Sequence, residues 1–327
     1  MSARAWGWRL AALGIVASLA CTSGCRRAGG GGGAPAKLRV QLNWVPEPEF
    51  GGLYAARDGG AFAQAGLEVE IRGGGPGTPV VQLVAAGQTD FGVAAGEDVV
   101  VARARGVDVV AIFATFQSSP QAIMVHAARG VQTLADLRSG TLALETGAPF
   151  GAYLAKKYGF YGVTLVPADG GVARFVADVQ HAQQCFVTSE PLAAKARGSD
   201  PQIFLGRDLG FDPYANVLIT RATMARSDQT RAFLGAVGRG WRDYLADPTG
   251  ANATMARSNP AMDGKTFAAA ADAQRALIES EDTRAHGLGW MRADRWRTLA
   301  GQLVDVGTVD RAPRAEDCFT DDALPPP

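Results

Sequence analysis

An indole, an amide and two carboxylates follow the first strand pattern of the chain. Residues 41–52 read QLNWVPEPEFGG and place Asn43, Trp44, Glu47 and Glu49 between a predicted strand and a predicted helix. A rigid indole at a strand end is a platform for a flat ring, and carboxylates accept hydrogen bonds from ring amino groups. The stretch therefore predicts one wall of a small-molecule pocket. Two simpler interpretations stay open: Trp44 as a partly buried aromatic, and Asn43 and Glu47 as helix caps.

Five more segments follow predicted strands, and all six would meet at the carboxyl edges of α/β sheets, where ligands gather. They read GGGPGTP, AAGED, TFQSSP, ETGAPFG and TSEP. The acidic residues among them favour a neutral or cationic nitrogen heterocycle, because a sulfonate or phosphate calls for Arg, Lys and backbone amides. Packing beneath a helix is the alternative role for Phe150 and Tyr153. The candidate ligand-binding residues are Asn43, Trp44, Glu47, Gly51, Glu97, Gln117, Thr146, Gly147, Phe150, Tyr153 and Glu190.

Other chemistries find little support in the sequence. GGGPG lacks the Walker ending and the GxGxxG spacing of nucleotide cradles, and the histidines are scattered, with no triad spacing and no GxSxG. Cys185 and Cys318 form no CxxC pattern, so we expect two separate thiols and no zinc site. Lys plus Arg equals Asp plus Glu, at 32 each, which disfavours a nucleic-acid surface. We expect no catalytic residue, no metal and no cofactor.

Short strand patterns alternate with helical patterns from Leu38 onward, as in an α/β protein built from βαβ units. Among the predicted elements are a strand LEVEIR from Leu67, a strand CFVT from Cys185, and helices capped by Thr78 and Thr133. Two nearly equal α/β blocks result, joined near residues 119 and 213.

Helical patterns dominate beyond Asn216, over residues 227–246, 249–258, 264–279 and 291–306. Helical spacing marks one stripe as core: Phe233, Val237, Trp241 and Tyr244. A group of arginines near the last helix is predicted to form a solvated face: Arg292, Arg295 and Arg297.

The first 25 residues are typical of a secretory signal peptide, with a basic start and an apolar core too short to span a bilayer. A cysteine after small residues resembles a lipobox, at Cys25 or alternatively at Cys21. Residues 26–37 are Gly-rich and predict a tether. We therefore expect an exported, periplasmic protein that meets the membrane only through a lipid anchor.

Several longer motifs carry a family resemblance. LNWVPEPEFGGLYAA, QLVAAGQTDFGVAAGEDVVVARARG, KKYG, TSEPLAA, GWMRADRW and FTDDALP resemble the NMT1/THI5-like branch of periplasmic substrate-binding proteins over nearly the whole mature chain. The resemblance implies a type II periplasmic-binding-protein fold, with two α/β lobes, two crossover strands and helices toward the C-terminus. It assigns residues 38–119 and 214–327 to lobe 1 and residues 120–213 to lobe 2, and it implies a monomer that delivers its ligand to an ABC permease and ATPase.

Within this family, thiamine-precursor binders open with an LDWxPNxNH-like motif whose Trp stacks on a pyrimidine. Here Asn43 stands in the place of the Asp, Trp44 is kept, and Glu47, Pro48 and Glu49 replace the Asn and His part. The substitution suits a planar ring better than a sulfonate but does not choose among rings, so riboflavin and alkanesulfonates stay open as ligands.

Two other functions also stay open. The first is a fungal-type pyrimidine synthase, which is disfavoured because no Lys or His lies between Leu38 and Arg72 and because Cys185 stands alone where a cysteine cluster is expected. The second is a ligand-sensing lipoprotein with a membrane kinase as its partner. The preferred expectation is a non-enzymatic solute-binding component of an importer for a thiamine-pyrimidine-like heterocycle.

Overall fold

Ten strands form the framework of the described part of the chain. The computed structural model describes residues 34–326. The strands are β1 (Ala36–Gln41), β2 (Leu67–Arg72), β3 (Phe91–Ala94), β4 (Val109–Phe116), β5 (Gln121–His126), β6 (Thr141–Leu144), β7 (Thr164–Pro167), β8 (His181–Phe186), β9 (Pro201–Leu205) and β10 (Ala215–Arg221).

Helices connect the strands and make up most of the C-terminal part. They are α1 (Gly51–Asp58), α2 (Ala61–Gln64), α3 (Val80–Ala85), α4 (Gly96–Ala104), α5 (Pro149–Tyr158), α6 (Ala173–Ala177), α7 (Glu190–Ala196), α8 (Asp228–Ala246), α9 (Thr249–Ser258), α10 (Gly264–Ile278), α11 (Glu281–His286), α12 (Ala293–Asp305) and α13 (Ala315–Cys318). Short 3₁₀ turns cover Pro48–Phe50, Ala127–Arg129 and Leu134–Asp136. None of the helices between residues 34 and 326 is long and apolar enough to cross a membrane.

The strands form two five-stranded sheets with related topology. The first sheet has the order β2-β1-β3-β10-β4 and the second the order β7-β6-β8-β5-β9. The chain crosses between the sheets from β4 to β5 and again from β9 to β10, and the strand after each crossover runs antiparallel to its neighbours. We call the elements packed on the first sheet lobe 1 and those packed on the second sheet lobe 2.

Lobe 1 owes much of its core to the contact between α1 and α8. The stripe Phe233, Val237, Trp241 and Tyr244 is buried, as the sequence predicts. Gly51 and Gly52 lie directly beneath the rings of Tyr244 and Trp241, where a Cβ atom would overlap the rings. Both glycines therefore serve helix packing. This corrects the prediction that Gly51 belongs to a ligand-binding wall.

Gly240 provides a test of this close packing. A Cβ atom there would collide with the Gly52 carbonyl oxygen and the Ala56 side chain, so Gly240→Ala should lower the free energy of unfolding by about 1–3 kcal/mol. Gly235→Ala is the matched control, because a Cβ at that position of the same helix meets nothing within 4 Å and should stabilise by up to about 1 kcal/mol. Urea denaturation measures both, and equal effects would contradict the packing argument.

Several expected boundaries are confirmed and others are wrong. Strand β2 starts at Leu67 as predicted, and Asp136 accepts hydrogen bonds from the backbone and hydroxyl of Thr133 at the predicted cap. Thr78 does not cap α3, because its hydroxyl bonds to Gly75 instead. Ala36 and Lys37 belong to β1 and not to the tether. The predicted signal peptide and both candidate lipidation cysteines lie outside the described residues.

The strand expected at CFVT, residues 185–188, begins four residues earlier and ends two residues earlier, as β8. Gln183 and Gln184 hide it from an apolar pattern, because both are buried polar residues. Gln183 Nε2 donates to the Gly171 carbonyl at 3.0 Å, and the side-chain Oε1 of Gln184 accepts from the Glu145 backbone N–H at 3.2 Å. A buried glutamine with local partners satisfies its polar groups inside the sheet.

Candidate functional site

The carboxyl ends of strands from both sheets lead into the space between the lobes. Charges that follow β1 and β3 of lobe 1 act on those that follow β6 and β8 of lobe 2, as between Glu47 and Glu190 and between Asp98 and Glu145. The lobes touch here: Gln121 Nε2 donates to Glu97 Oε1 at 3.1 Å, and helix α7 packs beside α10. We call this space the interlobe cleft. Its position beyond the strand ends is where α/β sheets bind ligands.

The opening loop, residues 42–50, is held firmly in lobe 1. The buried Gln41 side chain donates to the carbonyls of Leu42 at 3.0 Å and Gly73 at 2.9 Å, and the Gly74 amide donates to the Trp44 carbonyl at 2.9 Å. Gln274 Nε2 donates to the Pro48 carbonyl at 2.9 Å. Trp44 itself is partly exposed and packs against the lobe 1 core. The loop is thus a rigid support for a partly exposed indole.

The pKa values of two carboxyls of the opening loop depend on a charge in the opposite lobe. Burial, and then the charge of Glu190 from lobe 2, raise the pKa of Glu47 to about 7. Burial, and then the charges of Glu47 and Glu190, raise the pKa of Glu49 to about 8, while Asn216 acts in the opposite direction. Asn259 Nδ2 lies 3.4 Å from Glu47 Oε1. Near neutral pH the Glu49 carboxyl is therefore mostly protonated and the Glu47 carboxyl about half protonated.

Glu97 lies at the start of α4 and is 4% exposed. One of its oxygens binds Gln121, and the other, Oε2, is buried without a hydrogen-bond partner among residues 34–326. Burial, together with the charges of Asp98 and Glu145, raises its pKa to about 7. The carboxamide oxygen of Gln121 is also buried without a partner in that range. Glu97 Oε2 and Gln121 Oε1 are therefore two buried oxygens between the lobes without a partner in the described chain.

Lobe 2 contributes two more acidic side chains. Glu190 Oε2 accepts from the Phe186 amide at 2.8 Å, while burial and the charge of Glu145 raise its pKa. Desolvation and the charge of Asp98 raise the pKa of Glu145. No basic side chain within residues 34–326 contributes to the pKa of any of the six coupled carboxyls. We call them the cleft carboxyls: Glu47, Glu49, Glu97, Asp98, Glu145 and Glu190.

The protonation state of the cleft carboxyls decides which chemical groups they can bind. Partly protonated carboxyls both donate and accept hydrogen bonds, and their ionised forms attract cations. A ligand with ring nitrogens and amino groups matches both states, whereas an anionic ligand meets repulsion.

Two predicted ligand contacts are wrong because their side chains belong to the core of lobe 2. Phe150 is 0% exposed and packs against Phe211, with ring centroids 5.6 Å apart. Tyr153 Oη donates to the Leu209 carbonyl at 3.2 Å, and its ring also lies on Phe211. Both residues point beneath their helix, which was the alternative that the sequence left open.

Four further predicted ligand contacts lie at the first crossover, in the turn after β6 and in the opening loop. Gln117 Nε2 donates to the carbonyls of Ala114 and Trp290, both at 3.1 Å, so its amide anchors the first crossover. Thr146 and Gly147 are exposed in the turn after β6, where Gly147 has a φ of +78° that suits glycine. Asn43 is partly exposed, with a buried Oδ1 that has no partner in the described chain.

Some residues of the site carried no clear sequence signal. Gln121 lies at the start of β5, a position that becomes important only after the sheets are paired. Glu145 opens the predicted ETGAPFG segment but is not among the candidate ligand-binding residues. Asn216 is buried, with a φ of +49°, and its side chain faces Glu49, whose pKa it lowers. A left-handed backbone at a non-glycine residue marks a site held by its surroundings. In the sequence, Asn216 is marked only by its position just after the second crossover.

Arg295 is the clearest missed position outside the cleft. The prediction of a solvated arginine face fails for this residue, whose side chain is 22% exposed. Its guanidinium donates to the carbonyls of Gln117 and Asp212, one from each crossover, and lies 4.0 Å from the Tyr214 ring centre. Asp212 in turn accepts from the Ser119 amide at 2.7 Å. Arg295 and Asp212 therefore tie the two crossovers together.

Cys185 and Cys318 are buried and free, as two separate thiols. Within residues 34–326, no three His, Cys, Asp or Glu side chains are grouped so as to hold a metal ion.

Comparisons with known proteins agree with this architecture. A family model described as NMT1/THI5 like matches residues 47–251. Riboflavin-binding protein RibY of Chloroflexus aurantiacus is 23% identical over 304 residues, which cover 88% of this chain and 86% of RibY. A formylaminopyrimidine-binding protein of Halalkalibacterium halodurans is 23% identical over 302 residues, which cover 86% of this chain and 89% of that protein.

A solved structure shows the same fold. The periplasmic aliphatic sulphonate binding protein SsuA of Escherichia coli aligns with a TM-score of 0.67 at 14% identity, over 90% of this chain and 93% of SsuA. The predicted α/β fold of the periplasmic-binding-protein type is therefore confirmed.

Proposed function

Since the chain belongs to the NMT1/THI5-like family, we propose that it is the solute-binding component of an ABC importer. It captures a small planar nitrogen heterocycle, similar to a thiamine pyrimidine precursor, between its two lobes and delivers it to a permease and its ATPase. The names of the two relatives as binding proteins for riboflavin and formylaminopyrimidine support a binding role over an enzymatic one.

The observation that carries the ligand class is the set of cleft carboxyls without a basic partner. A buried carboxyl such as Glu49, with its pKa at about 8, offers an O–H donor and a carbonyl acceptor side by side. That pair complements a ring nitrogen beside an amino group. An alkanesulfonate would add a negative charge to the same space, so the carboxyls disfavour it.

Trp44 supplies the stacking face in this proposal. Its indole sits on the rigid opening loop, next to Glu47, so that one ligand ring can lie on the indole while its edge meets carboxyls. Asn43, Thr146, Gly147 and Glu190 complete the wall from the two lobes.

Closure follows from the two crossovers. We place the lobe boundaries near residues 119 and 213, and the lobes rotate about these segments. The ligand favours the closed form to the extent that it contacts both lobes at once, since equal affinity for open and closed forms would shift nothing. The protein is exported and acts as a monomer, anchored to the membrane through a lipid on Cys25.

Native mass spectrometry tests this function directly. We expect an aminopyrimidine to bind one to one, and Trp44→Ala to weaken it about 10- to 100-fold, since stacking of a base on an aromatic side chain contributes about 1–3 kcal/mol. Trp290→Ala is the matched control, because Trp290 is another partly exposed tryptophan, stacked on His286. Its loss should leave affinity unchanged.

The ligand panel separates the alternatives. Riboflavin in place of the aminopyrimidine would change the ring but keep the stacking role of Trp44. Tight binding of an alkanesulfonate, or an unchanged affinity in Trp44→Ala, would overturn the proposed ligand class.

A further inference from the structure

A second concave site lies against the opening loop in lobe 1. It is a groove of about 490 Å³, bounded by the loop at Val45 and Pro46, by α1, by α9 and by the chain just after β2. None of the cleft carboxyls lines it. The groove is thus chemically separate from the interlobe cleft although both share the same loop.

Two arginines face this groove from different helices, Arg57 on α1 and Arg257 on α9. Arg257 donates only to its own helix, to the Ala253 carbonyl at 3.1 Å and the Thr254 hydroxyl at 3.0 Å. Arg57 Nε donates to the Asp58 carboxylate at 2.8 Å. A guanidinium carries five N–H donors, so both side chains keep donors for a further partner.

The third polar group is the Tyr54 hydroxyl. Tyr54 is 4% exposed and lines the groove. Its hydroxyl makes no hydrogen bond within residues 34–326 and is not one of their buried unpartnered atoms, so it is accessible to solvent. An accessible hydroxyl is free to donate a hydrogen bond to a bound molecule. The Arg57 guanidinium lies over the Tyr54 ring, 4.7 Å from its centre, so α1 presents a cation and a tyrosine side by side to the groove.

The rest of the lining fits an organic body. Val45, Pro46 and Ile71 add apolar surface, and no lining residue is acidic. Small-molecule sites combine such apolar walls with a few convergent polar groups, in volumes of about 300–1,000 Å³. Arginine pairs bind phosphate and carboxylate groups through forked hydrogen bonds.

We propose that this groove binds a small organic anion, with its phosphate or carboxylate held by Arg57, Arg257 and the Tyr54 hydroxyl and its apolar part against Val45 and Ile71. The site is independent of the heterocycle in the cleft. Its occupant contacts the segment between Trp44 and Glu47, so the two sites share one structural element.

Phenyl phosphate is a suitable probe, with phenol as its neutral counterpart. Isothermal titration should show one phenyl phosphate per chain and no phenol, with affinity falling as salt rises. Arg257→Gln should weaken binding about tenfold or more, and Tyr54→Phe, which keeps the buried ring, about two- to tenfold. Arg105→Gln, at an exposed arginine just after α4, should change nothing.

Two outcomes would overturn the proposal. One is a dissociation constant above about 1 mM for phenyl phosphate, which corresponds to less than about 4 kcal/mol of binding free energy. The other is binding that Arg257→Gln leaves intact and Trp44→Ala removes, because the anion would then occupy the cleft. Retained binding in Trp44→Ala supports the groove, whatever ligand the cleft takes.

Discussion

Glutamine in place of Glu97 is expected to stabilise the protein by about 2–3 kcal/mol more at pH 8 than at pH 5. Glu97 is buried, with one oxygen unpartnered in the described chain and its pKa raised from 4.5 to about 7. A glutamine side chain at this position would keep an acceptor for the Gln121 amide and remove the charge. The substitution therefore isolates the cost of ionising one cleft carboxyl.

The sign follows from the two states of the chain. Below pH 4.5 the carboxyl is protonated both folded and unfolded, so burial carries no ionic cost. As the pH rises from 4.5 to about 7, the unfolded chain releases the proton and the folded protein retains it, so the folded state loses stability. Above that window the loss is complete, at about 3 kcal/mol, since one pKa unit corresponds to about 1.4 kcal/mol.

Thermal and urea denaturation at both pH values measure the effect. Glu68→Gln is the control, because its side chain is 58% exposed and its charge stays in water in both states. A gain for Glu97→Gln that is equal at pH 5 and pH 8 would show that the carboxylate is solvated in the folded protein.

The elements of the fold that the sequence predicted correctly are those with a regular spacing of apolar residues along the chain. The buried stripe on α8 and the strand from Leu67 repeat at helical or strand spacing over several turns or residues, so neighbours along the chain reveal them. The opening loop was recognisable because Trp44 and its carboxylates stand between two such patterns.

The missed parts depend on contacts distant in sequence. Gly51 looked like room for a ligand, but α8, nearly two hundred residues later, places Tyr244 there. Phe150 follows a plausible binding turn, yet whether an aromatic side chain points into a cleft or under its helix is decided by Phe211. The coupling of Glu47 with Glu190 exists only because two separate sheets face each other, and no spacing along the chain encodes that distance.

Arg295 shows the same dependence on distant contacts, and its replacement should have the second large effect. Arg295→Met is expected to lower the free energy of unfolding by about 2–4 kcal/mol, because it leaves the Asp212 carboxylate without its 3.2 Å cationic partner. It also removes the donors to the Gln117 and Asp212 carbonyls. Arg295→Lys should destabilise the protein less than Arg295→Met does, because an ammonium keeps the charge but lacks the forked N–H donors of a guanidinium.

The matched control is Arg297→Met on the same helix, where the side chain is 67% exposed and its pairing distance to Glu316 is 4.0 Å. Its effect should stay within about 0.5 kcal/mol. Adding Asp212→Asn to Arg295→Met should recover part of the lost stability, since a neutral amide then replaces the carboxylate that lost its cationic partner. Hydrogen exchange should quicken at residues 117–120 and 206–214 in Arg295→Met alone. If it does not, and the cost matches that of Arg297→Met, the strands alone hold the crossovers, and lobe motion is not restrained by this arginine.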